Sequence, residues 1–323
     1  TIKAVNIDES EIKTSNYATC ALLAVAWGSN VGFGTPLGGA MNLVVVNLIE
    51  EYTGQEFMYV DWIIRCVPLV IFVAVPMLLL LLTNKMEYGE LPGTREALEA
   101  ELKKMGPMNR GEIFSATLFI GAFVLSLARP LFSDLLPTLT ANYIFLLAAL
   151  LCFIMPANEK EPILKWNYAM PKIKWGVFLL IAGGTALGDI ITDSGVGGMI
   201  SQLLLPIAGQ SALAAIIVFS IMGCFFSNIM TITGCAALVG PIIITTMSGL
   251  GYNPIPFLLL CYAACNISIC LPSSGAGPAM VAGYGIDMNK MIRWGLKTIP
   301  LCLISVIVLG WIMYLVWPGF AVI

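Results

Sequence analysis

The chain has 323 residues, of which 59% are hydrophobic and 11% charged, with a mean hydropathy of +0.90. That is more apolar surface than a soluble core of this length can hide, so the chain reads as an integral membrane protein. A net charge of −3 argues against a nucleic-acid partner, and the complete lack of His removes the commonest proton shuttle and metal ligand.

A polar cytoplasmic start occupies residues 1–16. Residues 17–83 combine two spans of the ~20 apolar residues that a bilayer demands. The first, from Tyr17 to about Ile49, is broken at Gly32-Phe33-Gly34-Thr35-Pro36-Leu37-Gly38-Gly39. The second runs uninterrupted over about 60–83 and reads as a scaffold helix. Residues 84–112 alternate acids and bases, as in Arg95, Glu96, Glu99, Glu101, Lys103 and Lys104, which predicts a cytoplasmic linker helix with i,i+4 charge pairing.

Residues 113–205 hold further scaffold spans at about 113–130, 139–156 and 175–204. From 175 to 285 there are 111 consecutive positions with no Lys or Arg and only two acids, Asp189 and Asp193. These two lie four apart on one helix face near the outer end of their span, where interfacial anchoring and cation coupling are both open to them.

Residues 206–250 are apolar on both sides of Ser227-Asn228, the pattern of a re-entrant hairpin of two half-helices with its tip at Ser227. Residues 251–285 form a second broken span, interrupted from Leu271 to Pro278. Residues 286–323 supply a cytoplasmic arm and the last span. Nine scattered Cys lack metal-ligand spacing and read as small hydrophobes in helix packing.

Cytoplasmic loops carry the excess of Lys and Arg. With seven spans and one hairpin, fourteen of the sixteen basic residues fall on one side, which predicts a cytoplasmic N-terminus and an outer C-terminus. Shifting the sequence by 236 lays Asn30 on Asn266, Pro36 on Pro272, Gly39 on Gly275 and Ala40 on Ala276. The two broken spans run in opposite directions on that topology. Inverted repeats with paired discontinuous helices point to a secondary transporter with its site at the midplane. The symmetry also leads us to expect a partner hairpin upstream of residue 1.

Half-helices end in unsatisfied N–H or C=O groups, with partial positive charge at N-termini and partial negative charge at C-termini. An anion suits the former and a cation the latter. At the hairpin, the Asn228 carboxamide can both accept and donate, as a site holding an anion beside a cation requires. Thr231 adds a hydroxyl just before a helix start, and the carbonyls freed around Pro36 and Pro272 are hard oxygen donors suited to Na+.

At these residues the chain resembles the divalent anion:sodium symporter family of sodium/dicarboxylate and citrate transporters. The resemblance rests on Ser227-Asn228 with Thr231 and Gly240-Pro241-Ile242-Ile243, on Lys174-Trp175 followed by Gly183-Gly184 and Ala186-Leu187, on Gly34-Thr35-Pro36 with Gly38 and Asn42, and on Leu271-Pro272 with Gly283. It implies an all-α, inverted-repeat fold of the elevator type, working as a homodimer that carries a small organic anion with Na+. It places Gly38 at one Na+ site, and Asn228 with Ser274 at the other. Ser227, Asn228, Gly39, Gly275, Asn42 and Thr231 would bind the anion. Ile229 and Gly223 depart from the family by lacking expected hydroxyls, and Gly39-Ala40-Met41-Asn42 and Gly275-Ala276-Gly277-Pro278 replace its Pro-Pro-Asn runs.

Two other readings remain: an exchanger or H+-coupled permease of the same architecture, and a non-transporting receptor or assembly subunit. An enzyme is not expected, since no Gly-x-Ser-x-Gly turn and no facing pair of acids is present.

Overall fold

A computed structural model describes residues 15–83, 94–158, 161–173 and 206–321, with isolated positions between 186 and 202. Asp189, Asp193 and most of the expected 175–204 span lie outside the described residues. The fold is nearly all helical. Among the described residues the one regular departure is a two-stranded antiparallel ribbon, Pro156–Asn158 paired with Glu161–Pro162.

The first broken span begins with α1 (Asn16–Asn30), whose N-cap Ser15 accepts from the Ala18 N–H at 3.2 Å. Two short 3-10 turns follow, Val31–Gly34 and Pro36–Gly38. The chain then re-enters a helix as α2 (Ala40–Thr53), which stops at left-handed Gly54. Next come α3 (Tyr59–Leu82), the linker helix α4 (Thr94–Met105), α5 (Arg110–Leu127) and α6 (Ala141–Ile154). A capping box starts α5: Asn109 Oδ1 accepts from the Glu112 N–H, and Glu112 accepts from the Asn109 N–H, both at 2.8 Å.

The hairpin is α7 (Ala212–Ile229) and α8 (Ile232–Gly249). The second broken span is α9 (Ile255–Cys265), an extended segment ending in the turn Pro272–Ser274, and α10 (Ala276–Gly283). A long helix, α11 (Met288–Val316), closes the order and joins the expected arm and last span of 286–323 in one element.

Five described helices, α3, α5, α7, α8 and α11, are long and apolar enough to cross a bilayer. Burial sorts the helices into an inside and an outside. All eleven residues of α9 are buried, the mark of a helix at the centre of a bundle. By contrast Phe119 and Ile120 of α5 and Leu146 and Leu147 of α6 are exposed, and apolar side chains on that scale need lipid or protein against them. Although read from sequence as a scaffold helix, α3 packs against α11, α9 and the first unwound turns.

The two broken spans share backbone geometry at the offset of 236. Thr35 (φ −124°, ψ 146°) matches Leu271 (−120°, 147°), and Gly39 (−176°, 159°) matches Gly275 (−178°, 171°). The first half of one span packs against the second half of the other, α1 on α10, as an inverted pair requires.

Candidate functional site

The hairpin tip and both unwound segments meet around a cavity of about 490 Å3. Of the residues expected at the site, Gly38, Gly39, Asn42, Thr231, Ser274 and Gly275 line it. Ser227 and Asn228 do not; they stand behind it. The tip meets the middle of both broken spans.

The tip itself is displaced from the expected position. Ser227 lies in the last turn of α7, where its hydroxyl donates back to the Cys224 carbonyl at 3.1 Å. The helix continues to Ile229, and the break comes at Met230 and Thr231, both with extended backbone. Thr231 caps α8, accepting from the Gly234 N–H at 3.1 Å.

Asn228 is fully engaged by protein. Its amide donates to the carbonyls of Cys224 at 2.8 Å and Ile267 at 3.1 Å. Its Oδ1 accepts from the N–H groups of Ile269 at 3.1 Å and Cys270 at 3.2 Å. A carboxamide has two donors and two acceptor lone pairs, so no capacity is left for an ion or a carboxylate in this conformation. The residue holds the unwound segment after α9 in shape. Ser268 helps from the other side, donating to the Ser227 carbonyl at 2.7 Å.

Asn42 does the same for the first unwound segment, donating to the Thr35 carbonyl at 2.6 Å and accepting from the Tyr262 hydroxyl. Trp62 of α3 adds a bond from its indole N–H to the Phe33 carbonyl at 2.9 Å. Gly38 is needed for close approach, because a Cβ there would lie 1.7 Å from the Gly32 carbonyl oxygen.

Asn30 and Asn266 also line the cavity, and the repeat match marks both without assigning them a role. Asn30 donates to the Ser268 carbonyl at 2.6 Å, linking the two broken spans directly. Tyr262 carries no sequence signal of its own; it reaches the site only because α9 packs beside α2.

The electrostatics of the cavity are distinctive. No Lys, Arg, Asp or Glu is among its described lining residues. Three helices instead start at its wall, α2, α8 and α10. The N-caps of α2 and α10 are glycines, which have no side-chain acceptor to offer their first-turn N–H groups. Those two N-termini thus face the cavity without a side-chain cap, while the Thr231 hydroxyl accepts from the Gly234 N–H and the Ser274 hydroxyl donates to the Leu271 carbonyl.

The family model for the sodium:sulfate symporter transmembrane region matches residues 4–323. The chain belongs to this symporter family. Among curated relatives, the sodium-dependent dicarboxylate transporter SdcS of Staphylococcus aureus is 25% identical over 212 residues, covering 63% of this chain and 40% of that protein. SdcS of Staphylococcus saprophyticus is 26% identical over 199 residues, covering 59% and 38%. The chain thus spans about two fifths of the length of the curated relatives it matches. The symporter family and these relatives are named for transport, not catalysis.

Two symporter departures have a packing explanation here. At Gly223 a Cβ would lie 2.6 Å from the Cys261 sulfur and 3.0 Å from its carbonyl oxygen, so the missing hydroxyl makes room for α7 on α9. At Gly277 a Cβ would lie 1.8 Å from the Ser29 hydroxyl, so this glycine lets α10 close on α1. Ile229 is exposed and outside the cavity lining, where Thr231 and Thr233 supply hydroxyls instead.

Proposed function

We propose that this chain carries the binding centre of a Na+-coupled secondary transporter of small organic anions, of the di- or tricarboxylate class, working by an elevator mechanism. One observation carries the reading: two glycine-capped helix N-termini face a cavity whose described lining bears no charged side chain. Each terminus contributes about half a positive charge. Two of them fall short of a dicarboxylate's double charge, and Na+ makes up the difference.

In this reading the anion sits on the first turns of α2 and α10, touched by Gly39, Gly275 and Thr231. Na+ is held by oxygens near Gly38 on one side and Ser274 on the other. Asn42 and Asn228 act by fixing the unwound segments, and Ser227 by its carbonyl bond to Ser268. No titratable side chain is among the described residues of the cavity, which favours Na+ over H+ as the coupling ion. The SdcS relatives, named as sodium-dependent dicarboxylate transporters, support the same pairing. The proposal includes the cytoplasmic N-terminus drawn from the basic residues and homodimerisation through exposed faces of the scaffold helices.

Calorimetric titration of the purified protein with succinate, in sodium chloride and in potassium chloride at equal strength, tests the site. Saturable binding in sodium alone is expected. Equal binding in both salts would remove the role given to Na+.

A further inference from the structure

A second cavity, of about 320 Å3, lies on the other side of the first unwound segment. Pro36 and Leu37 of that segment form one wall, Glu50 at the end of α2 another, and Phe57, Tyr59 and, from α6, Phe145 complete it. Glu50 follows Ile49, where the apolar run of the first broken span ends, and its neighbours Glu51 and Tyr52 are exposed. The cavity therefore sits at a membrane boundary, away from the anion site.

Its charges are uneven. Glu56, which also lines it, is neutralised by Arg129, with Nη2 at 3.0 Å and Nε at 3.4 Å from its carboxylate. Arg65, whose guanidinium stacks 5.6 Å from the Phe57 ring centre, pairs with Asp61 at 2.8 Å. Glu50 accepts the Phe57 N–H at 2.9 Å and has no ion pair among the described residues. Burial pushes the Glu50 carboxyl above its ordinary range, the Phe57 N–H opposes this, and the charge of Glu56 adds to it. A half-buried carboxylate without a counter-charge is thus left facing a cavity walled by aromatic rings, with Tyr59 and Phe145 centred 6.4 Å apart.

That combination selects its occupant. A bare metal ion is far smaller than the space, and no group of three His, Cys, Asp or Glu side chains among the described residues could hold one. An organic cation fills the volume, sets its charge against the carboxylate and presents its surface to ring faces, which attract cations. We propose that this cavity binds a small organic ammonium ion, with Glu50 as its counter-ion and Tyr59 and Phe145 as its aromatic walls. An occupant would touch Leu37, the residue before Gly38, and α6 together.

The probe is benzyltrimethylammonium, titrated by calorimetry into the purified full chain in a neutral maltoside detergent, with benzyl alcohol as the uncharged control. Saturable binding is expected, at least about tenfold tighter than that of benzyl alcohol, because the counter-charge supplies the difference. Glu50→Gln keeps an oxygen for the Phe57 N–H but removes the charge, and should weaken binding at least about tenfold. Phe145→Leu, on a different helix, should weaken it about threefold. Binding of equal strength in either variant, a benzyl alcohol affinity matching the cation's, or no saturable binding to the native chain would each overturn the proposal. Should Glu50→Gln fail to fold, the Phe145→Leu result decides.

Discussion

The side-chain amide of Asn30 donates to the backbone carbonyl of Ser268 across 2.6 Å, joining residues 238 apart in sequence. This bond fastens the end of α1 to the middle of the second unwound segment. Among the described residues it has no symmetry counterpart: Asn266 turns back onto the Tyr262 carbonyl of its own helix at 2.9 Å. The two broken spans repeat their backbone but not this cross-link, and among the described residues Asn30 supplies the one side-chain hydrogen bond between the first span and the second unwound segment.

Removing that amide should loosen the cavity. Asn30→Ala leaves the buried Ser268 carbonyl with only the long bond from the Ser274 hydroxyl at 3.4 Å, a loss of about 1–3 kcal/mol. We expect a lower melting temperature and succinate binding weakened at least about tenfold. A variant with native melting and native affinity would show that the link is incidental.

Adjacent glycines should behave differently. Gly38→Ala drives a Cβ to 1.7 Å from the Gly32 carbonyl oxygen and should lose both stability and binding. Gly39→Ala meets nothing closer than Asn42 Oδ1 at 3.8 Å, and its extended backbone suits any residue, so it should fold normally. Melting curves of the two variants side by side check the contrast.

Asn228→Ala orphans three backbone groups at once, the carbonyl of Ile267 and the N–H groups of Ile269 and Cys270, while the Cys224 carbonyl keeps the Ser227 hydroxyl. At about 1 kcal/mol or more each, this should destabilise the protein by at least about 3 kcal/mol and abolish substrate binding. Sequence reasoning treats Asn228 as a direct ligand and leads to the opposite expectation, an intact fold with lost uptake. Thermal unfolding of the variant separates the two accounts.

This contrast shows what can be read in the chain and what cannot. The breaks at Pro36 and Pro272, the restart of the first span after Gly39 and the hydroxyl of Thr231 before a helix start are visible because local chemistry sets them: Pro ends a ladder, Gly opens a turn, a hydroxyl caps. Six of the eight expected site residues line the cavity for the same reason. The helix start at Ala276 falls inside the break expected to run to Pro278. The tip of the hairpin is not visible at Ser227, because Ser227 and Asn228 fold their side chains back onto Cys224 and let α7 run on. The bonds of Asn228, Asn42 and Tyr262 depend on which carbonyls other segments bring near, and no local pattern encodes that. The packing of α3 with the broken spans is hidden likewise, since a uniformly apolar helix does not say which face meets protein.

Glu50 gives a pH prediction. Burial raises its carboxyl above the ordinary value of 4.5, so the folded protein holds this proton more tightly than the unfolded chain does. Stability from this group is full below the unfolded value and is lost as pH rises through the folded one. Glu50→Gln stays neutral throughout. The variant should therefore melt above the native protein at neutral pH, with the gap closing as pH falls toward 4.5. A gap that widens on acidification would contradict the assignment.

The central claim is that this cavity couples an organic anion to Na+. The most direct measurement is accumulation of radiolabelled succinate in lipid vesicles carrying the protein, under an inward Na+ gradient and under an equal inward K+ gradient. We predict concentrative uptake with Na+ alone, abolished by Gly38→Ala and kept by Glu50→Gln. Equal accumulation under both gradients, or Na+-driven uptake that survives Gly38→Ala, would contradict it.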